Sequence, residues 1–304
     1  MISIIICTKC EKQLDSLKEN IAKSIGCPFE LIIKEDAFGK YGLSKSYNEG
    51  ADEAKYDILC FMHDDIKFES NCWGQKVIQI LGDKNIGLLG VAGGIAKTKI
   101  PSDWWGYYSD AEINIIQHYK YNMQVNRHIN QSFSGNKLAD VVALDGVWLC
   151  SRKDVFSSYQ FDEVNFNRFH GYDIDYSLQI FHSYRVCVTF DVLLHHFSDG
   201  NYSVEWVKAA FDVSEKWKEY LPQKINTFPS RKMNAMIRIN LKAFIKILFK
   251  NGMAPKFIFD TIKKYTLQDY FKPGLFLLMC FTQIRYSYRY RYGKKMQLPI
   301  STGQ

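Results

Sequence analysis

The N-terminal part of the chain alternates between short apolar runs and segments with helical spacing, and this alternation constrains the fold most. Apolar runs at residues 3–7, 30–34 and 58–62 surround two helix-like segments, 8–25 and 44–54. Short strands that are apolar on both sides are typical of parallel sheets covered by helices on both faces. The sequence therefore predicts an α/β fold with a mostly parallel sheet.

Polar residues follow each of these three strands. Thr8 follows the first strand, Glu35 and Asp36 follow the second, and a His-Asp-Asp triplet at 63–65 follows the third. The carboxyl ends of parallel strands meet at one edge of a sheet, where open α/β folds bind their ligands. The pattern predicts a ligand site at this edge.

The triplet His63-Asp64-Asp65 is the sharpest candidate for chemistry in this site. Two carboxylates and an imidazole at the exit of a buried strand are unfavourable unless another charge compensates them. A divalent cation that carries a phosphorylated ligand would do so. The alternative is a solvated turn in which Asp64 or Asp65 caps the next helix.

Further acidic and imidazole side chains lie downstream, again near predicted strand and helix ends. Asp145 and the glycine after it interrupt two apolar runs, which predicts either a bulge or a tight hairpin turn. Asp173 and Asp175 fall at a helix N-terminus, where the helix dipole favours the carboxylate form. Of the adjacent His195 and His196, a strand would direct only one towards a given site.

Residues 95–138 differ from the rest of the chain because they are polar, weakly periodic and rich in aromatic side chains, including Trp104 and Trp105. The whole chain is 15% aromatic, more than a plain α/β core needs, which indicates an aromatic-lined surface or site. We interpret this segment as a long excursion over the sheet edge, since long irregular segments in compact domains are often functional. The alternative is an aromatic cluster that only packs.

The eight cysteines are scattered, and several lie in apolar runs, as Cys60, Cys150 and Cys187 do. This usage is typical of reduced, buried thiols and predicts a cytoplasmic protein. Cys7 and Cys10 have the spacing of a redox or zinc pair, but no second pair follows, so we expect neither role.

The charge of the chain is concentrated in its C-terminal segment. Residues 230–304 hold 15 Lys and Arg against two acids, whereas residues 1–229 have a net charge of −6. Residues 235–250 read as a basic amphipathic helix, and residues 256–265 repeat the pattern. We expect this tail to attach peripherally to an anionic membrane surface, on the inner face of the cytoplasmic membrane.

The alternative for the tail is a helical appendage that packs on the core or forms a homodimer. Arg and Tyr alternate at residues 285–291, a composition that also occurs in nucleic-acid-binding segments. No supporting fold accompanies it, so we expect no nucleic-acid partner.

Taken in order, these motifs resemble those of the family 2 glycosyltransferases with the GT-A fold. They look most like the bacterial branch whose metal motif reads His-Asp-Asp instead of Asp-x-Asp. The resemblance covers about residues 1–205 and implies a nucleotide-binding half at about 1–92. An acceptor and catalytic half at about 93–229 would follow, and then the basic tail at 230–304.

The resemblance implies inverting transfer of a sugar from a nucleoside-diphosphate sugar, with UDP favoured, to the hydroxyl of a glycan or lipid-linked acceptor in polysaccharide assembly. Asp173 matches the family's catalytic base. The attacking hydroxyl must lose a proton, and a carboxylate positioned beside it can accept that proton, so the residue type suits this role. Thr8, Glu35, Asp36 and Asp64 match positions that bind the nucleotide.

The resemblance also implies a divalent metal, Mn²⁺ or Mg²⁺, held by Asp65 with His63 and His196. His63 stands where most members have a carboxylate, and Mn²⁺ tolerates imidazole better than Mg²⁺ does. Contacts with the donor or acceptor sugar are expected from Asp145, Trp148, Trp104, Trp105 and Asp175.

Two other functions remain open at this point. A nucleotidyltransferase would need a glycine-rich, basic loop after the first strand, and residues 8–11 contain no glycine. A carbohydrate-binding protein could keep the fold without catalysis. His63 in place of a carboxylate favours that function, whereas the retention of Asp65, Asp145 and Asp173 argues against it.

Overall fold

The computed structural model describes residues 1–9, 11, 14–35, 41–105, 111–119, 127–198 and 200–292. The strands in this part are β1 (Ile2–Thr8), β2 (Phe29–Glu35), β3 (Ile58–Met62), β4 (Ile66–Phe68), β5 (Ile86–Gly90), β6 (Ala92–Gly94), β7 (Ala96–Lys97), β8 (Ala111–Gln117), β9 (Arg127–Gln131), β10 (Leu138–Val141), β11 (Ala143–Leu144), β12 (Trp148–Arg152), β13 (Arg185–Thr189), β14 (Leu194–His196) and β15 (Gln223–Lys224). The helices are α1 (Asp15–Ser24), α2 (Gly42–Glu53), α3 (Trp73–Leu81), α4 (Lys153–Ser158), α5 (Tyr172–Phe181), α6 (Val204–Lys216), α7 (Ser230–Lys250), α8 (Pro255–Lys263) and α9 (Pro273–Tyr292), with a π-helical turn at Lys264–Gln268.

A seven-stranded sheet in the order β10-β13-β5-β12-β3-β1-β2 forms the centre of the fold. Strands β2, β1, β3, β5 and β13 run parallel, and β12 and β10 run against them. The predicted α/β class with a mostly parallel sheet is confirmed. Because β12 lies between β3 and β5 and runs the other way, it begins at the edge where β3 ends.

The apolar character of β3 follows from burial on both faces of this sheet. Leu59 and Phe61 join one hydrophobic cluster, whereas Cys60 and Met62 join the cluster on the opposite face. Helices α2 and α5 contribute to the first cluster, and α1 and α3 to the second. A strand buried on both sides has no solvent-facing positions, which explains the continuous apolar run.

A second sheet, in the order β11-β6-β8-β14-β4 with β9 paired to β8, lies beyond the site edge of the first. The segment 95–138 contains the regular strands β8 and β9, so the interpretation of it as an irregular excursion over the sheet edge was wrong for these two strands. Cross-strand pairing with distant segments, which local periodicity does not reveal, stabilises these strands.

The first helix begins later than predicted. Residue Thr8 still belongs to β1, where it pairs with Glu35 of β2, and α1 begins only at Asp15. Backbone pairing in the sheet thus competes successfully with helix formation at the end of this strand.

The C-terminal segment is helical, as predicted, through α7, α8 and α9. These helices share a hydrophobic cluster with Ile100 and with Trp206 of α6, so they pack on the preceding part of the chain. The boundary at residue 229 stays a prediction. Among the described residues, no helix combines the length and apolar character needed to cross a membrane.

Candidate functional site

The carboxyl ends of β1 and β3 are joined by a direct contact between two predicted nucleotide-binding residues. The hydroxyl of Thr8 donates to Asp64 Oδ2 at 2.7 Å. Glu35 lies beside Thr8 in the sheet register and is exposed at the end of β2. Asp36 lies outside the described residues. The structure therefore places Thr8, Asp64 and Glu35 along one edge.

His63, Asp65 and His196 form a cluster whose ligand atoms all lie within 4.8 Å of one another. Asp65 Oδ1 is 3.8 Å from His63 Nδ1 and 3.8 Å from His196 Nε2. The second sheet creates this proximity, because β14 pairs with β4 so that His196 lies opposite Ile66, the residue after Asp65. The three predicted metal ligands are thus brought together.

Asp65 Oδ1 is buried and has no hydrogen-bond partner among the residues that the structure describes. A buried carboxylate oxygen without a partner is strongly unfavourable. Two ligand atoms that each lie about 2.1 Å from an ion are separated by at most about 4.2 Å. The two 3.8 Å spacings meet that condition, so Asp65 together with either imidazole fits a divalent cation.

Hydrogen bonds orient His63 towards Asp65. The hydroxyl of Tyr172 donates to the carbonyl of Gly146 (3.1 Å), so its oxygen accepts from His63 Nε2–H at 2.8 Å. The lone pair of His63 is then on Nδ1, which faces Asp65. Burial lowers the pKa of His63 and so favours the neutral imidazole that binds metals.

Gln117 orients His196 in a similar way. Its amide nitrogen donates to the backbone carbonyls of His196 (3.3 Å) and Ser198, which leaves Oε1 facing His196 Nδ1 at 3.2 Å. A carbonyl oxygen only accepts, so Nδ1 carries the proton and Nε2 presents its lone pair to Asp65. Both imidazoles therefore have the tautomer that a metal ligand needs.

The two histidines of β14 point to opposite sides, as predicted. While His196 faces Asp65, His195 contacts His118 (2.7 Å between Nδ1 and Nε2) and Glu69 (3.1 Å) on the other side of the sheet. His195 thus has no part in the cluster.

Asp173 lies in the first turn of α5, next to the cluster. Its Oδ2 accepts from the backbone N–H of Gly146 at 3.1 Å. Burial, together with the negative charge of Asp145, raises the pKa of Asp173 to about 7. A carboxyl that titrates near neutrality is suited to accept and release a proton.

Asp145 is held in place by a side chain from the aromatic segment. Trp104 Nε1 donates to its Oδ2 at 2.7 Å, and the backbone N–H of Val147 donates to its Oδ1 at 2.8 Å. The ring of Trp105 lies 6.0 Å from that of Trp104. Asp145 and Trp104 therefore lie near Asp173, and Trp105 lies beside Trp104.

Trp148 and Asp175 are not brought to this site. Trp148 is fully buried, and its ring packs edge-on against Trp73. Asp175 is also fully buried and accepts from Lys216 Nζ and from Trp217 Nε1, both at 2.8 Å. Neither side chain has an exposed surface for a sugar, so both are structural here.

Sequence reasoning missed a buried polar network around Asp103, the residue before Trp104. The carboxylate of Asp103 accepts from Tyr202 (2.6 Å) and Trp206 (2.9 Å), and its backbone carbonyl accepts from Lys97 Nζ (3.0 Å). Burial lowers the pKa of Lys97 to about 7. The only sequence signal for this network was an acid beside the tryptophan pair.

Tyr172 and Gln117, which orient the imidazoles, were also missed as functional residues. Tyr172 belongs to the Gly-Tyr-Asp motif at 171–173, and that position was its signal. Gln117 carried none, because its partner His196 is distant in sequence.

A family model described as "Glycosyltransferase like family" matches residues 3–224, which is most of the chain. The chain belongs to this glycosyltransferase family. The match spans both sheets and every residue of the candidate site. The prediction of a glycosyltransferase is confirmed. The more specific assignment to a His-Asp-Asp branch stays a prediction.

Solved structures of low identity also resemble this glycosyltransferase. The crystal structure of S. aureus TarS 1-349 in complex with UDP-GlcNAc matches with a TM-score of 0.48 at 14% identity, covering 100% of this chain and 95% of that one. The structure of GalNAc-T7 with UDP, GalNAc and Mn²⁺ matches with a TM-score of 0.46 at 11% identity, covering 89% of this chain and 58% of that one. None of the curated proteins compared with the chain matches it.

Proposed function

We propose that this glycosyltransferase transfers a sugar from a nucleoside-diphosphate sugar, with UDP favoured, to an acceptor hydroxyl with inversion at the anomeric carbon. The observation that carries the proposal is the position of Gly146 between two functional groups. Its N–H donates to Asp173, and its carbonyl accepts from Tyr172, whose hydroxyl contacts His63. One backbone unit thus connects the candidate base with the candidate metal ligands.

Asp65, His63 and His196 would hold the cation. When bound, a divalent cation neutralises the charge that develops on the departing diphosphate. Two imidazoles and one carboxylate suit Mn²⁺ better than Mg²⁺, which prefers oxygen ligands. Thr8, Asp64 and Glu35 lie on the same edge and would bind the nucleoside.

Asp173 would take the proton from the acceptor hydroxyl as the oxygen of that hydroxyl attacks the anomeric carbon. The bond to the diphosphate breaks on the opposite side, so one displacement inverts the configuration. Trp104 orients Asp145 through the hydrogen bond from its indole N–H. Asp145 would then contact a hydroxyl of the donor or acceptor sugar.

The acceptor would be a glycan or a lipid-linked sugar. A carbohydrate-binding protein without activity is the competing function. A panel of nucleotide sugars, assayed for donor hydrolysis and transfer with Mn²⁺, with Mg²⁺ and with a chelator, distinguishes the two. We expect turnover of one donor that requires the cation and gives a product of inverted configuration. Donor binding without turnover under every condition would contradict the proposal, and a retained configuration would contradict the single displacement.

A further inference from the structure

We propose that the outward face of α9 docks on the surface of an anionic phospholipid bilayer. The starting observation is that α9 is apolar on two opposite faces. Met279 and Tyr286 are buried against the protein, whereas Leu277, Phe281 and Ile284 on the other face are 60%, 71% and 66% exposed. A helix that is apolar all round is normally buried on all sides. The exposed residues are one turn apart, so they form a continuous stripe.

The stripe is part of a wider apolar surface. Leu278, next to the stripe, is 45% exposed. Phe259 of α8 is 41% exposed, and its ring lies 5.9 Å from that of Phe276. Contiguous exposed apolar surface of this kind marks an interaction site.

The positive charges near this surface favour an anionic binding partner. α9 contains no acidic residue, and the exposed Arg285 follows Ile284 directly. α7, which packs beside α9, has six Lys and Arg residues and no acid. An apolar helical face accompanied by cations and by no acid is typical of helices that lie in the interface of anionic membranes.

The lysines that follow one another along α7 repel each other. Burial and the positive charge of Lys242 lower the pKa of Lys246, and burial and the charge of Lys246 lower that of Lys250. Like charges one turn apart on a helix are destabilising. A surface of negative charge would relieve this repulsion.

A cavity of about 430 Å³ lies between α7 and the first turns of α9, next to the apolar stripe. Arg238 of α7 and Lys272 lie on its wall together with Leu275 and Leu278 of α9. Two cations and two leucines around one cavity suit a lipid phosphate whose acyl chains continue along α9. This continuity favours a phospholipid over a soluble anion.

A second copy of this chain is a poorer occupant. In a two-fold symmetric dimer through this face, each surface patch meets itself, so the cations of α7 and α9 would oppose their own copies. A lipid surface brings only opposite charge. The proposal does not depend on the proposed function, because its readout is lipid binding and not transfer.

The test is co-sedimentation of the full chain with vesicles of phosphatidylcholine alone and of phosphatidylcholine with phosphatidylglycerol. We expect binding only to the anionic vesicles and weakening with added salt. A Leu277→Asp, Phe281→Asp double variant should lose at least about tenfold in partitioning. An Arg238→Gln, Lys272→Gln variant should lose less, since it keeps the apolar stripe.

Val164→Asp is the matched control, because Val164 is also an exposed apolar residue (79%) but lies in the glycosyltransferase body. It should bind like the unmodified chain, and melting curves confirm that each variant is folded. Equal binding to neutral and anionic vesicles, or no binding, would overturn the proposal. So would a dimer in solution that the double variant dissociates.

Discussion

His63 and Tyr172 are joined by a hydrogen bond of 2.8 Å that links the end of β3 to the start of α5. The same tyrosine hydroxyl donates to Gly146, which in turn donates to Asp173. The candidate metal ligand and the candidate base are therefore held in one network. The role of each residue in this network can be tested by its own substitution.

Replacing Tyr172 with Phe removes the partner of His63 Nε2 and leaves the backbone in place. We expect the affinity for Mn²⁺ to fall by about tenfold to a hundredfold, as for other residues that orient metal ligands. Titration calorimetry with Mn²⁺ in the presence of UDP measures this. Tyr159→Phe, which removes a hydroxyl bonded to Ser183 at an exposed position, is the control and should leave the affinity unchanged. An unchanged affinity for Mn²⁺ in Tyr172→Phe would show that Tyr172 does not orient His63 for metal binding.

Asp173→Asn keeps an oxygen that can accept from Gly146 but cannot take a proton. The rate of sugar transfer should fall by about 10²–10⁴-fold, the usual contribution of a general base. Binding of the nucleotide should hardly change, because Asp64 and Thr8 are untouched. Single-turnover transfer and equilibrium binding of UDP measure the two effects. Full turnover in this variant would show that another group is the base.

The pH dependence of transfer should report the same carboxyl. The pKa of Asp173 is raised to about 7, so the base is protonated below that pH and ionised above it. Activity should therefore rise as the pH increases through about 7. A profile of kcat/KM against pH checks this. A flat profile through that range would disagree with an assignment of Asp173 as the base.

Stability should change with pH in the opposite direction. The folded pKa of Asp173 lies above the ordinary aspartate value of 3.8, so the folded state binds more protons than the unfolded state between those two values. This carboxyl therefore lowers the free energy of unfolding as the pH rises from about 4 to about 7, and the loss is complete above that pH. Asp173→Asn should be more stable than the unmodified chain by on the order of 1–3 kcal/mol at about pH 8.

That difference should disappear at about pH 4, where the carboxyl is neutral in the folded state. Urea unfolding at both pH values measures it. Equal stability of the two proteins at the higher pH would mean that ionisation of Asp173 does not destabilise the folded state.

Asp175→Asn tests the structural role of a residue for which the sequence predicts a sugar contact. Asp175 is buried against Lys216 and Trp217. Lys216 is partly exposed and also contacts Asp162, so the loss should be about 1–3 kcal/mol of unfolding free energy, less than for a fully buried pair. KM for donor and acceptor should not change in the folded variant. A higher KM with unchanged stability would restore the sugar-binding role.

Much of the fold was predictable because it is encoded locally. The strand Ile58–Met62 has the predicted bounds, and the helix predicted at 44–54 is found as Gly42–Glu53, since their apolar patterns match burial in a two-faced sheet and on one helix face. The second sheet was not predictable. Its strands β4, β6, β11 and β14 have only two or three residues, too few to show a periodicity, and β14 pairs with strands far away in the chain.

The candidate site divides in the same way. The triplet at 63–65 marked the site because polar residues that follow a buried strand stand out in sequence. The sequence did not reveal that Trp148 is excluded from the site, because a tryptophan in a strand beside a predicted site can point either to the ligand or to the core. Contact with Trp73 decides for the core.

The sequence by itself determined the α/β class, the edge where Thr8, Asp64 and Asp65 meet, and the charge of the tail. These follow from the order of strands and from residue type. Only the tertiary structure decided that His196 reaches Asp65, that Tyr172 and Gln117 orient the imidazoles, and that α9 keeps an exposed apolar stripe. Each depends on segments far apart in the chain, and their contacts form only when both sheets and the tail have packed.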